Sequence, residues 1–158
     1  MRFMTSIEIH VQRMLDSYCH WTGRELITRS DDPAIDATNL FDAPFVIVSH
    51  GTEANPILNY GNQTALDVWE MDWDRLTQMP SRETAEPMHR EEREQFMTRV
   101  KRDGFLSGYE GIRIASSGKR FRIQNALIWN ILDEKAKVVG QAATFSQWTP
   151  FQPETRNP

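Results

Sequence analysis

A serine followed at once by a histidine, Ser49-His50, is the first pair in the chain that could do nucleophilic chemistry. It closes the β-branched, apolar run Phe45-Val46-Ile47-Val48, so it reads as the end of a buried strand. Neighbouring strand residues point to opposite faces, so the two side chains do not meet as nucleophile and base. His50 is expected instead to make a structural hydrogen bond at the strand end. His10, His20, His50 and His89 show no metal-ligand spacing with Cys or carboxylates, which argues against a zinc site. The one cysteine, Cys19, falls in a helical pattern and reads as a small apolar residue. Two polar places remain. Ser81-Arg82-Glu83-Thr84-Ala85-Glu86 reads most simply as a solvated loop. As a lid it would offer Arg82, whose guanidinium forks onto a carboxylate or phosphate. Asn125 shares the alternation of Phe121, Ile123, Leu127, Trp129 and Ile131. A buried Asn in such an apolar file must find partners: neighbouring backbone, Asn62, or a ligand. No nucleophile, base and orienting group come together, so no catalysis is expected.

The elements that position these residues follow from capping and periodicity. Thr5 and Glu8 have capping-box spacing, Ile7, Val11, Met14, Leu15, Tyr18 and Trp21 recur at helical intervals, and Gly23 stops the helix. Residues 24–39, with Asp31-Asp32-Pro33, read as a connector with at most a short helical turn. Phe45 to His50 and the Ile57-Leu58 stretch read as antiparallel strands. Tyr60-Gly61 turns the chain, and Asn62 caps a helix carrying Ala65, Leu66, Val68 and Trp69. Asp72 caps a second short helix that Pro80 ends, and Pro87 opens a longer one with Phe96, Met97 and Val100 on its apolar stripe. Three strands follow, turning at Ser116-Ser117-Gly118-Lys119 and at Asp133 to Lys137, with the last running from Val138 to Trp148. The mixed face of the longest strand, with Ala126, Ile128 and Leu132, is where the N-terminal helix is expected to lie. The order implies an α+β fold: a five-stranded antiparallel sheet with helices over one face, plus an additional N-terminal amphipathic helix. The segments are then 1–23 helix, 24–39 connector, 40–149 main domain and 150–158 tail.

Composition bounds the function. The chain has 158 residues, 39% hydrophobic and 25% charged, which suits one globular domain. A net charge of -4 argues against nucleic acid as a partner. A lone cysteine implies a reducing, cytoplasmic setting. No apolar run nears the ~20 residues of a membrane span, and the N-terminus lacks a signal-peptide core.

The opening of the central helix, Ile57, Tyr60 and Asn62 followed by Ala65 and Leu66, resembles the PAS pattern of strand, aromatic and helix-starting Asn. The chain is more closely similar to the MEKHLA domain, a PAS-like module found in stand-alone bacterial proteins and in plant homeodomain-leucine-zipper proteins. The pieces that carry this are Ser49-His50-Gly51-Thr52, Leu58-Asn59-Tyr60-Gly61-Asn62, Pro80 to Glu86, and Gly140-Gln141-Ala142-Ala143. The resemblance implies a sensory or small-molecule-binding domain that signals to a protein partner. Flavin-photosensing relatives place a Cys after the central helix, where Thr77 to Glu86 has none, and a Gln on the last strand, where Ala142 takes the place with Gln141 on the opposite face. Haem-binding relatives use a His on the long helix, where His89 stands at the N-terminal end. The protein is therefore expected to carry no flavin or haem.

The expected site is a cavity between sheet and helices, lined by Trp69, Phe96 and Trp129, with Asn62, Arg82 and Asn125 as polar contacts. The N-terminal stripe is too apolar to face water; in PAS-like domains such a helix covers the outer face of the sheet or pairs with its copy, and the expectation is a homodimer in which these helices take part, with a cap on its own sheet as the alternative.

Overall fold

A computed structural model describes residues 3–85 and 87–152, without the side chains of 87–90 and 93. Helix α1 (Ser6–Thr22) opens with the capping box that Thr5 and Glu8 foretell, and Gly23 ends it. Helix α2 (Pro33–Phe41) occupies much of the expected connector. The Asp32-Pro33 pair, read from sequence as loop punctuation, is a helix start: Asp32 accepts from the Ala34 amide, and Pro33 has no N–H to lose in the first turn. Asp36 on α2 is buried. It accepts from the Ser30 amide at 2.7 Å and from Gln12 Nε2 of α1 at 3.0 Å, which fastens this region to the first helix.

Strands β1 (Val46–His50) and β2 (Leu58–Gly61) pair antiparallel as expected. Helices α3 (Gln63–Trp69) and α4 (Trp73–Leu76) follow, capped by Asn62 and Asp72. A 3-10 turn, Ser81–Thr84, leads into α5 (Pro87–Asp103). Strands β3 (Phe105–Ile114), β4 (Arg120–Leu132) and β5 (Val138–Phe145) complete the sheet, in the antiparallel order β2-β1-β5-β4-β3. A sixth strand, β6 (Gln147–Pro150), pairs with the first half of β4. The expected last strand thus breaks at Ser146, and Pro150, assigned from sequence to the tail, belongs to the sheet. Phe151 is tied down as well: its amide donates to the Arg120 carbonyl at 2.9 Å.

The decisive irregularity lies in β4. Ile123 pairs with Gly111 and Ala126 with Tyr109, so β4 takes one residue more than β3 there. That extra residue is accommodated at Asn125, which is exposed and has φ 56°. A bulge of this kind shifts the side-chain alternation by one. Phe121 and Ile123 therefore share the inner face with Ala126 and Ile128, beside α3 and α5. Trp129 and Ile131 turn to the outer face. The single apolar file expected from Phe121 to Ile131 does not exist.

Helix α1 lies on that outer face, against Trp129 and Ile131 rather than Ala126 and Ile128. Val11, Met14 and Leu15 are fully buried and Tyr18 nearly so. The Tyr18 ring meets Trp129 edge-on at 5.2 Å, and Trp129 Nε1 donates to the Met14 carbonyl at 3.2 Å. Each such side chain contributes about 1.5–3 kcal/mol on burial. Most of the stripe is thus satisfied within its own chain, where α1 caps the sheet, and Ile7 is left exposed.

Candidate functional site

Between α3, the 3-10 turn, α5 and the inner face of the sheet lies a cavity of about 70 Å³. Its walls are mostly apolar: Val48, Leu58, Ile123, Ile128 and Phe145 line it with Trp69 and Phe96. Trp69 is placed by the Asn62-capped helix and held edge-on to Phe121 at 5.4 Å and Phe145 at 6.0 Å. Phe96 of α5 meets Tyr109 at 4.3 Å between ring centroids.

The polar part comes from β3 and β5, with Ser49 and His50 of β1 and Ser81 and Thr84 of the 3-10 turn also on the wall. Tyr109, Gly111 and Arg113 alternate onto the inner face of β3. Arg113, only 7% exposed, donates through Nη2 to the Tyr109 hydroxyl at 2.8 Å and through Nη1 to the Ile112 carbonyl at 2.9 Å. Its guanidinium lies 5.4 Å from the Tyr109 ring centroid. Gly111 makes this possible: a Cβ there would lie 2.5 Å from the Tyr109 hydroxyl oxygen and 3.0 Å from Arg113 Nη1. Trp69 Nε1 and Gln141 Oε1 are buried and have no partner among the described residues. Both residues line the cavity.

Sequence expectation and geometry agree on Trp69 and Phe96 and part elsewhere. Trp129 is on the far side of the sheet, under α1. Asn125 is exposed at the bulge. Arg82 is exposed and lines a neighbouring surface groove of about 440 Å³ with Lys101, Glu53 and Glu94. Asn62 is not among the residues that line this cavity. Fully buried, it accepts from the Ile47 amide at 3.2 Å and the Ala65 amide at 3.1 Å, and donates to the Phe45 carbonyl at 2.8 Å and the Leu40 carbonyl at 3.2 Å. Its amide group is wholly taken up by backbone. Among the cavity residues that sequence reasoning did not place there are the polar ones Tyr109, Arg113, Gln141, Ser49, Ser81 and Thr84. Gln141, not Ala142, points inward: Ala143 and Phe145 share its alternation toward the inner core, and Ala142 packs on the outer side.

The remaining chemistry-bearing groups are accounted for. His50 Nδ1 lies 2.8 Å from the Gly51 carbonyl oxygen, the expected strand-end contact. Ser49 does meet a histidine, but it is His10 of α1, whose Nε2 is 2.8 Å from Ser49 Oγ. Ser49 is buried and gives its own proton to Asn59 Oδ1 at 2.6 Å, so its oxygen accepts from His10. Burial, then the nearby Arg13 charge, lowers the His10 pKa to about 4, which makes a poor general base. Partial burial, then Glu25, raises the pKa of the Cys19 thiol and so disfavours the reactive thiolate. His89 lies outside the described side chains. Among the described residues no cluster of His, Cys, Asp and Glu is arranged to hold a metal, and no helix is long and apolar enough to cross a membrane.

The sheet order, the capped α3 behind β2 and the cavity between α5 and the sheet define a PAS-like domain. The family model for the MEKHLA domain matches residues 8–150, and the chain belongs to that family. Solved structures agree on the fold. A PAS domain of a protein from Colwellia psychrerythraea is 17% identical with a TM-score of 0.61, over 72% of this chain and 94% of that one. An RNA-binding light-oxygen-voltage receptor is 13% identical with a TM-score of 0.64, over 75% of this chain and 34% of that one. A light-oxygen-voltage domain studied with a flavin analogue is 13% identical with a TM-score of 0.58, over 77% of this chain and 87% of that one. No curated protein matches the chain.

The residues do not fit a flavin. Cofactor and drug-sized pockets run to ~300–1,000 Å³, against about 70 Å³ here. The inward Gln141 removes one of the two sequence arguments against flavin, and the missing cysteine in Thr77 to Glu86 stands.

Proposed function

We propose that this chain is a sensory domain that binds a small molecule in the inner-face cavity and passes its ligand state to a protein partner. The observation that carries the reading is the set of buried polar groups on a mostly apolar cavity: Arg113, whose charge no described carboxylate meets, and Trp69 Nε1 and Gln141 Oε1, which have no partner among the described residues. Unpaired buried polar groups are costly, and a ligand is one means of satisfying them. The relay runs through one layer of sheet. Ile128 and Gln141 line the cavity, and their chain neighbours Trp129 and Ala142 lie on the outer side, with α1. A ligand that shifts β4 against β5 therefore changes how α1 is seated. The reading is of a cytoplasmic, non-catalytic protein, and it keeps a homodimer, with a different seam. Phe3 and Met4 just before α1 and Ile7 in its first turn are exposed and apolar, and they are the part of that end left for a second copy.

The small volume of the cavity favours a second reading, a structural module with a filled core and no ligand. Native mass spectrometry of the protein, purified without denaturation, separates the two when joined to Ala126→Leu. Ala126 is buried and lines the cavity. A co-purifying small mass that Ala126→Leu removes supports the sensory reading. No bound mass, with Ala126→Leu raising Tm by filling a void, supports the structural one.

A further inference from the structure

Arg113 is a permanent positive charge inside the protein, since a guanidinium does not deprotonate at physiological pH. Among the described residues no carboxylate reaches it; its partners are a phenol and a carbonyl, both neutral. The described ion pairs of other arginines all use carboxylates: Arg13 with Glu134, Arg29 with Asp16, Arg102 with Asp103. Those arginines lie nearer the surface than Arg113, which is the buried arginine among the described residues and has no carboxylate beside it. Five N–H groups on a guanidinium leave donors beyond the two bonds it makes. Trp69 Nε1–H is a further donor with no acceptor.

We infer that the ligand of this cavity is a short-chain carboxylate, with Arg113 as its counter-ion; this rests on the sensory-pocket reading above. A carboxylate supplies acceptor oxygens to the guanidinium and to the Trp69 indole, both on the cavity wall, while Gln141 Oε1, itself an acceptor, is not served by it. The apolar walls, Val48, Leu58, Ile123, Ile128 and Phe145, take the hydrocarbon tail. The size fits: on this measure one water needs ~10–15 Å³, so about 70 Å³ takes roughly five to seven non-hydrogen atoms, the size of butyrate, and no nucleotide. The same walls disfavour a compact dianion such as phosphate, which keeps its hydration on every side. Gly111 leaves room for the Tyr109–Arg113 pair, since a Cβ there would displace the Tyr109 hydroxyl or the Arg113 guanidinium.

Titration calorimetry of the full chain with butyrate, butyramide and inorganic phosphate tests this. A ligand this small binds no tighter than about micromolar, so each is carried to about 10 mM. Butyrate is expected to bind at least about tenfold more tightly than butyramide or phosphate. Arg113→Gln abolishes the preference and Arg113→Lys retains much of it. The comparison of ligands on the unaltered protein stands even where Arg113→Gln fails to fold. Equal binding of butyrate and butyramide, or tighter binding of phosphate, overturns the carboxylate assignment and leaves the pocket reading intact. No binding of any of the three, while native mass spectrometry finds another small mass, overturns it in the same way. No binding and no co-purified mass overturns both.

Discussion

Replacing Asn62 with Ala should cost the fold several kcal/mol and leave the cavity unlined by any new group. Four bonds are lost, but they do not count equally. The cap on α3, made by Asn62 Oδ1 to the Ala65 amide, is worth about 1 kcal/mol. The Ile47 amide, buried in the sheet, is left unpaired, at roughly 1–3 kcal/mol. The Phe45 carbonyl loses its 2.8 Å bond, at about 1 kcal/mol. The Leu40 carbonyl also accepts from the Asp42 and Ala43 amides, so its loss counts for little. The sum is about 3–5 kcal/mol, a large part of a typical stability of ~5–15 kcal/mol. In a urea titration followed by tryptophan fluorescence, a slope of about 2 kcal/mol/M puts the midpoint about 2 M lower, with the slope unchanged. Asn62→Ser, which keeps a capping oxygen, should recover part of the loss. A midpoint shift under about 0.5 M for Asn62→Ala would refute the reasoning, because three unpaired backbone groups cannot cost so little.

Other expectations follow from the same geometry. His10 has a folded-state pKa near 4 against the ordinary 6.5, so the folded state binds fewer protons than the unfolded between those values. Its contribution is complete above pH 6.5 and is lost as pH falls toward 4, by roughly 3 kcal/mol at most. His10→Gln should flatten that limb of a stability-against-pH curve, and identical curves would contradict the burial argument. Asn125→Gly should be nearly neutral and Asn125→Val should cost about 1–2 kcal/mol, since φ 56° excludes a β-branched residue. Equal urea midpoints for the two would mean that β4 has no bulge there. Leu15→Asp should unfold the monomer rather than split a dimer, because the residue is buried within its own chain; light scattering with circular dichroism distinguishes a folded monomer from an unfolded chain.

Most of the fold is legible because its punctuation is local. Thr5 with Glu8, Asn62, Asp72 and Pro87 mark helix starts by chemistry that needs no tertiary context, and the structure uses each as such. The site is legible only in part, through Trp69 and Phe96, whose helical registers the sequence sets. Asn125 hides the rest of β4: one left-handed residue reverses the facing of everything after it, and strict alternation then assigns Trp129 to the wrong side of the sheet. On β3 the hydropathy misleads. Ile112 and Ile114 look like the inward pair, yet Tyr109, Gly111 and Arg113 are the buried ones. The glycine between a tyrosine and an arginine was the available signal, since a strand gives up a side chain at mid-length where other groups must close over it. A buried charge such as Arg113 is a place where local preference misleads.

The claim at the centre of this account is that the inner face of the sheet, not the outer one, receives a small molecule. The indole N–H resonances of the five tryptophans report on both faces at once. Trp69 Nε1 is unpartnered in the inner cavity, and Trp129 Nε1 is bonded to Met14 beneath α1. In a ¹⁵N–¹H correlation spectrum, with the two signals assigned by Trp69→Phe and Trp129→Phe, butyrate is the probe. The account predicts a saturable downfield shift of the Trp69 indole proton as it gains an acceptor, with the Trp129 signal moving far less. A stationary Trp69 signal at saturating butyrate, or a shift confined to Trp129, would contradict it.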